Sequence, residues 1–124
     1  MKILLIGIGG FLGAIARFYT TKWTNSLITD RIPFGTVVVN VIGSFILGLV
    51  VVLSVEKLVA SEDLRLFIGV GMLGAFTTFS TFSVETVYLL EDGAIIPAFV
   101  YIACNLFLSL LAAYGGVLLA RQLV

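Results

Sequence analysis

The stretch GAFTTFSTFS, residues 74–83, carries a phenylalanine at every third position and five hydroxyl side chains between and after them. It lies inside a segment that is otherwise as apolar as lipid. A helix in hydrocarbon has no use for so many hydroxyls unless they face something polar or satisfy backbone groups at a break in the helix. The stretch therefore predicts a polar path or an ion site inside a membrane protein.

The rest of the chain is apolar enough to fill a membrane. Of its 124 residues 60% are hydrophobic, and the mean hydropathy is +1.22. Three runs, residues 35–55, 66–84 and 94–120, contain no charged residue. Each is long enough to cross the roughly 30 Å hydrocarbon core as a helix. A first run, residues 3–16, reaches that length only if the helix continues through Arg17. We predict an all-α membrane protein in which residues 1–124 form a single domain of four transmembrane helices.

Two other fold classes fit these runs less well. Lys2, the apolar run after it and the small residues at positions 14 and 16 resemble a secretory signal peptide. However, three more apolar runs follow, and they leave no soluble domain that a signal peptide would export. A water-soluble helical bundle would need polar helix faces, which these runs lack.

The sequence offers little for catalysis or for binding metals and nucleic acids. It contains no histidine and a single cysteine, Cys104, in the fourth apolar run. A transition-metal site would therefore lack its usual ligands, and no phosphate-binding loop or nucleophile–base–carboxylate set can be assembled. The formal net charge is zero, with no basic patch for nucleic acid. We expect neither an enzyme nor a nucleic-acid-binding protein.

The distribution of positive charge gives the chain little preference for one orientation in the membrane. With four spans, both termini and the middle link share one side, which carries four Lys or Arg residues against three on the other. The first group is Lys2, Lys57, Arg65 and Arg121, and the second is Arg17, Lys22 and Arg31. A clear excess is needed to fix orientation. We expect both orientations to be made and to pair as an antiparallel homodimer, the two-chain counterpart of an inverted repeat.

Two polar stripes accompany the hydroxyl-rich stretch. Asn40 lies in the second apolar run, with Gly43 and Ser44 one turn further along the same face. Asn105 and Ser109 lie four residues apart in the fourth run. Interhelical contacts explain each stripe by itself, but two stripes and the hydroxyl-rich stretch in one short chain favour a lined path.

The side chains available along this path favour an anion. Hydroxyl and amide groups donate hydrogen bonds, and a phenyl ring presents a positive edge. A proton-coupled exporter needs a carboxylate inside the membrane, whereas Glu56 and Glu85 sit at the boundaries of the predicted spans. If the third helix breaks near Gly74, the carbonyls freed around Thr77 need a partner, and a cation such as Na⁺ would satisfy them.

The sequence resembles the Fluc family of fluoride channels over essentially its whole length. The matching motifs are Gly9-Gly10-x-x-Gly13-Ala14-x-x-Arg17, Gly35-Thr36-x-x-x-Asn40-x-x-Gly43-Ser44-Phe45 and Gly71-x-x-Gly74-x-Phe76-Thr77-Thr78-Phe79-Ser80-Thr81-Phe82. The last motif is long and specific, and the first two strengthen it through their order and spacing.

The resemblance implies a dual-topology antiparallel homodimer in the plasma (inner) membrane, with two separate fluoride pores. The glycine and hydroxyls of the opening stretch predict, in addition, that the third helix is broken near Gly74–Thr78. It implies passive, fluoride-selective export that protects the cell from fluoride entering as HF. Backbone carbonyls of Gly74 and Thr77 would hold a central structural Na⁺, and Phe79 and Phe82 would present ring edges to the ion. The other implied residues are Asn40, Ser80, Thr81, Tyr101 and Ser109 along the path, and Arg17 in the aqueous vestibule.

Two further interpretations of the residues stay open. A small four-span proton-coupled exporter is the main alternative. A membrane subunit with no transport of its own is the other, and in it the hydroxyls would serve helix packing only.

Overall fold

The computed structural model describes residues 1–123, and over this range it contains helices and short connections but no strand. Four helical segments are long and apolar enough to cross a membrane, and we call them spans 1 to 4. They are Lys2–Leu27, Phe34–Glu56, Glu62–Glu91 and Ile95–Leu123. The predicted all-α fold with four transmembrane helices is confirmed. The predicted domain extends to residue 124, which lies outside the described residues.

Each span is longer than the uncharged run that predicted it. Span 1 is one α-helix of 26 residues that continues through Arg17, as spanning length required. Span 3 continues past Glu85 to Glu91. Glu85, which the pattern of charges placed at a boundary of the span, lies six residues before the end of its helix. The carboxylate is accommodated inside the bundle because the hydroxyls of Thr36 and Tyr101 donate hydrogen bonds to it.

Spans 2, 3 and 4 combine α-helical and π-helical turns. The α-helical parts are Phe34–Val51 in span 2, Glu62–Leu64, Gly74–Phe76 and Phe79–Glu91 in span 3, and Ile95–Ala103 and Ser109–Leu123 in span 4. The π-helical parts are Val52–Glu56, Arg65–Leu73 and Cys104–Leu108. A π-helical turn interrupts the regular hydrogen-bond ladder and is common near functional sites.

The connections between the spans are held by specific local interactions. Asn25, near the end of span 1, accepts a hydrogen bond from the backbone N–H of Gly35 at 2.8 Å and so caps the start of span 2. Gly93, in the turn after span 3, has a φ of 73°, a conformation that favours glycine. On the terminal side, Lys2 pairs with Glu62 at 2.8 Å, which places the chain's start beside the link between spans 2 and 3.

The spans approach one another through glycines. A Cβ atom added at Gly13 would lie 2.0 Å from the carbonyl oxygen of Met72, so spans 1 and 3 touch backbone to backbone. A Cβ at Gly116 would lie 2.1 Å from the carbonyl oxygen of Phe45, which joins spans 2 and 4 in the same way. Small residues permit such approach between helices in a membrane, where hydrophobic burial does not drive association.

Candidate functional site

Span 3 breaks at Thr77 and Thr78. The helical turn Gly74–Phe76 ends there, both threonines are extended (φ −81° and ψ 156° at Thr77, φ −152° and ψ 117° at Thr78), and the helix resumes at Phe79. The break predicted between Gly74 and Thr78 is thus confirmed. It lies within the 30-residue span 3, where lipid offers no substitute for lost hydrogen bonds.

At this break, side-chain oxygens accept hydrogen bonds from the backbone N–H groups. In a continuous helix Thr78 N–H would donate to the carbonyl of Gly74, and Thr81 N–H to that of Thr77. Instead, Thr78 N–H donates to Asn40 Oδ1 at 2.8 Å, and Thr81 N–H donates to Thr78 Oγ1 at 3.1 Å. The carbonyls of Gly74 and Thr77 thereby lose their helical partners.

These two carbonyls have the chemistry that a hard cation such as Na⁺ requires, since such ions take oxygen ligands. Gly74 is exposed on the surface of the single chain, and a Cβ added there would come near only the carbonyl oxygen of Gly69, at 3.9 Å. Within residues 1–123 no group of three or more His, Cys, Asp or Glu side chains could hold a metal ion. The chemistry of the freed carbonyls of Gly74 and Thr77 fits the ion that the resemblance implies.

Asn40 holds the break from span 2. Its Nδ2 donates to the carbonyl of Thr78 at 3.2 Å and to Asn105 Oδ1 at 2.9 Å, while its Oδ1 accepts from the Thr78 N–H. Both amide hydrogens are therefore engaged inside the protein. Asn105 Nδ2 in turn donates to the carbonyl of Tyr101 at 3.2 Å, within span 4. The amides thus link spans 2, 3 and 4 at the level of the break.

A cavity of about 450 Å³ opens beside the break. It brings together five of the predicted site residues, Asn40, Thr77, Phe79, Phe82 and Ser109. The other lining residues are Ser44, Thr78, Ile102, Asn105, Leu106, Leu110 and Ala113. The Ser109 hydroxyl oxygen is buried and has no hydrogen-bond partner within the described part of the chain. We call this space the break cavity.

Three aromatic rings form a row from the break cavity into the core. The centroids of Phe79 and Phe82 are 5.4 Å apart, and those of Phe82 and Tyr101 are 5.5 Å apart. Phe79 is 79% exposed in the single chain, whereas Tyr101 is fully buried. The outer end of the row is therefore open to the surroundings, and the inner end is fixed by packing.

A second cavity, of about 410 Å³, is lined by Arg17, the predicted vestibule residue. Thr81, predicted for the path, and Glu85 also line it. Thr78, at the break, lines both cavities. Ser80, also predicted for the path, is exposed beside the break and lines neither of these two cavities.

Glu85 and Thr36 are the site residues that sequence reasoning missed. Glu85 accepts hydrogen bonds from Thr36 Oγ1, at 3.0 Å, and from the Tyr101 hydroxyl. A signal was present, because Thr36 lies four residues before Asn40, and Tyr101 four residues before Asn105. The two polar stripes thus extend one turn further than we assigned them.

The sequence of this chain matches a known protein family. The family described as CrcB-like protein, Camphor Resistance (CrcB), matches residues 4–117. The protein named fluoride-specific ion channel FluC of Syntrophotalea carbinolica is 45% identical over 123 residues, 99% of this chain and 100% of its own. FluC of Sulfurihydrogenibium sp. is 42% identical over 98% of both chains. FluC 1 of Methanosarcina acetivorans is 44% identical over 98% of this chain and 92% of its own. The chain therefore belongs to the CrcB-like family and is a multi-pass protein of the plasma membrane.

Proposed function

We propose that this protein is a fluoride-specific channel that lets the ion cross the membrane passively. The observation that carries the proposal is the break cavity, which places uncharged hydrogen-bond donors and phenyl rings beside a broken helix in a span of the membrane. The names of the relatives supply the ion. A channel makes and breaks no covalent bond, so no catalytic residue is proposed.

The lining of the break cavity suits an ion that must bind and then leave. Neutral donors and ring edges attract a small anion without the strong attraction of a lysine or arginine. Phe79 and Phe82 border the cavity and provide such ring edges, and Ser109 provides a hydroxyl without a protein partner. Arg17, in the second cavity, would attract anions toward the entrance.

The proposal includes a structural Na⁺ held by the carbonyls of Gly74 and Thr77. Their loss of helical partners supports the assignment. When bound, the ion would satisfy these oxygens and raise the local electrostatic potential for anions. The chain's own contribution is to hold the two carbonyls free, through the hydrogen bonds of Asn40 and Thr78 to the N–H groups at the break.

The active unit in this proposal is an antiparallel homodimer. Gly74 and Phe79 are both exposed on the single chain although they lie at the break, within a membrane span. A second copy in the opposite orientation would cover this surface and enclose the path between two copies of the break. The nearly even division of Lys and Arg between the two sides supports equal production of both orientations.

Export of fluoride down its gradient would protect the cell against fluoride toxicity. In cells that lack their own fluoride channel, expression of this chain is expected to restore growth on fluoride-containing medium. The same strain should show no added tolerance of chloride at equal concentration.

A proton-coupled exporter is the second candidate function, and Glu85 is the residue that supports it. The sequence argument against an exporter depended on the absence of a carboxylate inside the spans, and Glu85 lies inside span 3. Its two hydrogen-bond donors, Thr36 and Tyr101, hold the carboxylate within the bundle. Efflux measured with and without a proton gradient distinguishes the two candidates.

The test uses the purified chain in liposomes loaded with fluoride or chloride, with efflux followed by ion-selective electrodes. A channel is expected to release fluoride without a proton gradient and to release chloride far more slowly. Efflux that stops when the proton gradient is collapsed would support the exporter instead. A chain that releases neither ion would support a subunit without transport of its own.

A further inference from the structure

Polar residues of spans 2 and 4 are arranged in layers, each with one residue from either span. Asn40 and Asn105, which are hydrogen-bonded, lie 65 residues apart in the chain. Glu56 and Arg121, which are hydrogen-bonded further along the spans, have the same separation of 65 residues. The constant separation means that spans 2 and 4 run in the same direction and keep one register.

Two of these layers contain an acceptor contributed by span 3. In the first, Thr36 and Tyr101 both donate to the carboxylate of Glu85. In the second, formed by Asn40 and Asn105, Asn40 donates to the carbonyl of Thr78. Each layer thus consists of donors from span 2 or span 4 and an oxygen of span 3 that receives them.

The next layer has donors but no acceptor. One turn of about 6 Å beyond the asparagines, the same register brings Ser44 of span 2 level with Ser109 of span 4. One further turn on, a Cβ at Gly48 would lie 2.5 Å from the carbonyl oxygen of Ala113, so the two backbones are in contact there. Both serines line the break cavity. Neither hydroxyl has a hydrogen-bond partner among residues 1–123, and that of Ser109 is buried.

Several hydroxyls in spans 1 and 3 do use their hydrogens. Those of Thr21, Thr77, Ser83 and Thr86 each donate to the carbonyl four residues earlier, at 2.7 to 2.9 Å. This local bond is the usual solution for serine and threonine in a helix. Ser44 and Ser109 leave it unmade while both line the same cavity. An unpaired buried hydroxyl, such as that of Ser109, costs free energy.

We propose that the hydroxyls of Ser44 and Ser109 form a two-donor anion site, one turn from the break, at which the permeating ion is the missing acceptor of this layer. The inference rests on the proposed function and adds Ser44 as a residue that contacts fluoride. Asn40, whose amide hydrogens are engaged by the protein, acts in this scheme as a positioning residue for the break.

The test compares fluoride efflux from liposomes for Ser44→Ala, Ser109→Ala and the double variant. Ser54→Ala is the matched control, because Ser54 also lies in span 2 with a buried hydroxyl that has no partner within the described residues, but it does not line the break cavity. Hydrogen bonds to charged groups are the stronger ones, so each single variant is expected to lower fluoride efflux about tenfold or more. If one ion bridges both hydroxyls, the double variant should lose little beyond either single variant.

Three results separate the possibilities. Wild-type liposomes that release no fluoride would overturn the proposed function itself. A conducting wild type with Ser44→Ala equal to Ser54→Ala, or a double variant whose loss is the product of the two single losses, would overturn the two-donor site alone. If Ser44→Ala does not assemble in detergent, Ser44→Cys replaces it. The thiol keeps the size but is a weak donor, and the expected result is again reduced efflux.

Discussion

Asn40 is the residue on which the geometry of the break depends most directly. Asn40→Asp preserves the shape of the side chain but removes both N–H donors and brings a carboxylate toward the carbonyl of Thr78 and Oδ1 of Asn105, the two oxygens that Asn40 now donates to. We expect a lower melting temperature in detergent and a loss of fluoride efflux, because three oxygens then face one another without hydrogens.

Asn25 provides a matched control for this substitution. Its Oδ1 accepts from the Gly35 N–H, and its Nδ2 makes no hydrogen bond among the described residues. Asn25→Asp keeps that acceptor, so the melting temperature should stay close to wild type. Only stability is compared, because Asn25 also lines the cavity that contains Arg17, where a new negative charge would itself repel anions. An equal loss of melting temperature in the two Asp variants would contradict the role given to the Asn40 amide.

Phe79 and Phe82 are expected to act through their ring edges. Replacement of either by Ile keeps the apolar bulk and removes the aromatic quadrupole. Fluoride efflux should therefore fall about tenfold, which corresponds to a difference in free energy of roughly 1.4 kcal/mol. The proposed dimer should persist on size-exclusion chromatography. Phe11→Ile is the control, because Phe11 is 66% exposed on span 1 and lines neither cavity. If the three variants conduct alike, the rings have no part in the path.

At the scale of elements, the sequence predicts features that depend on composition and misses those that depend on register. The break in span 3 was predictable because hydroxyls at Thr77 and Thr78 have no purpose in hydrocarbon unless backbone groups or a path need them. The position of Glu85 inside span 3 was not, because a charge at the end of an apolar run ordinarily marks the end of a helix. Only the packed structure shows that Thr36 and Tyr101 reach its carboxylate.

The arrangement of the site residues was predictable only in part. That Asn40, Phe82 and Ser109 would share one cavity followed from the resemblance and from the polar stripes. Neither of them predicted that both amide hydrogens of Asn40 would be used in hydrogen bonds within the protein. The π-helical turn Cys104–Leu108, which contains Asn105, was also beyond prediction, because a single extra residue in a turn leaves no clear periodic pattern.

The contact between spans 1 and 3 gives an element-scale prediction. Gly13→Ala would place a Cβ 2.0 Å from the carbonyl oxygen of Met72, and backbone on both sides cannot yield without separating the helices. We expect destabilisation of roughly 1–3 kcal/mol, measured as a lower melting temperature in detergent. At Gly7, seven residues into the chain on the same helix, an added Cβ meets nothing within 4 Å. Gly7→Ala should therefore melt like wild type, and similar losses in both variants would contradict the close backbone contact.

For the whole molecule, the even distribution of positive charge matters more than any single ion pair. Lys2 pairs with Glu62, and Arg121 with Glu56, both at 2.8 Å and both exposed. Such pairs contribute little to stability, and acidic residues contribute little to the choice of orientation. In the proposed dual-topology assembly, the Lys and Arg tally of four against three would therefore govern insertion and leave each newly made chain close to a free choice of orientation.

A change in the Lys and Arg count of one side should abolish fluoride efflux although no residue of the path is substituted. Three lysines added beside Lys2 raise the count on the terminal side from four to seven and should force a single orientation. Because an antiparallel pair needs both orientations, fluoride efflux from cells or liposomes should fall to background. Three glutamines at the same place are the control and should leave efflux intact.

Co-expression with a second variant, biased the opposite way by lysines in the link at residues 91–93, should restore efflux, since each chain then supplies the orientation that the other lacks. Full activity of the lysine variant alone, with tags showing one orientation only, would reject the antiparallel dimer.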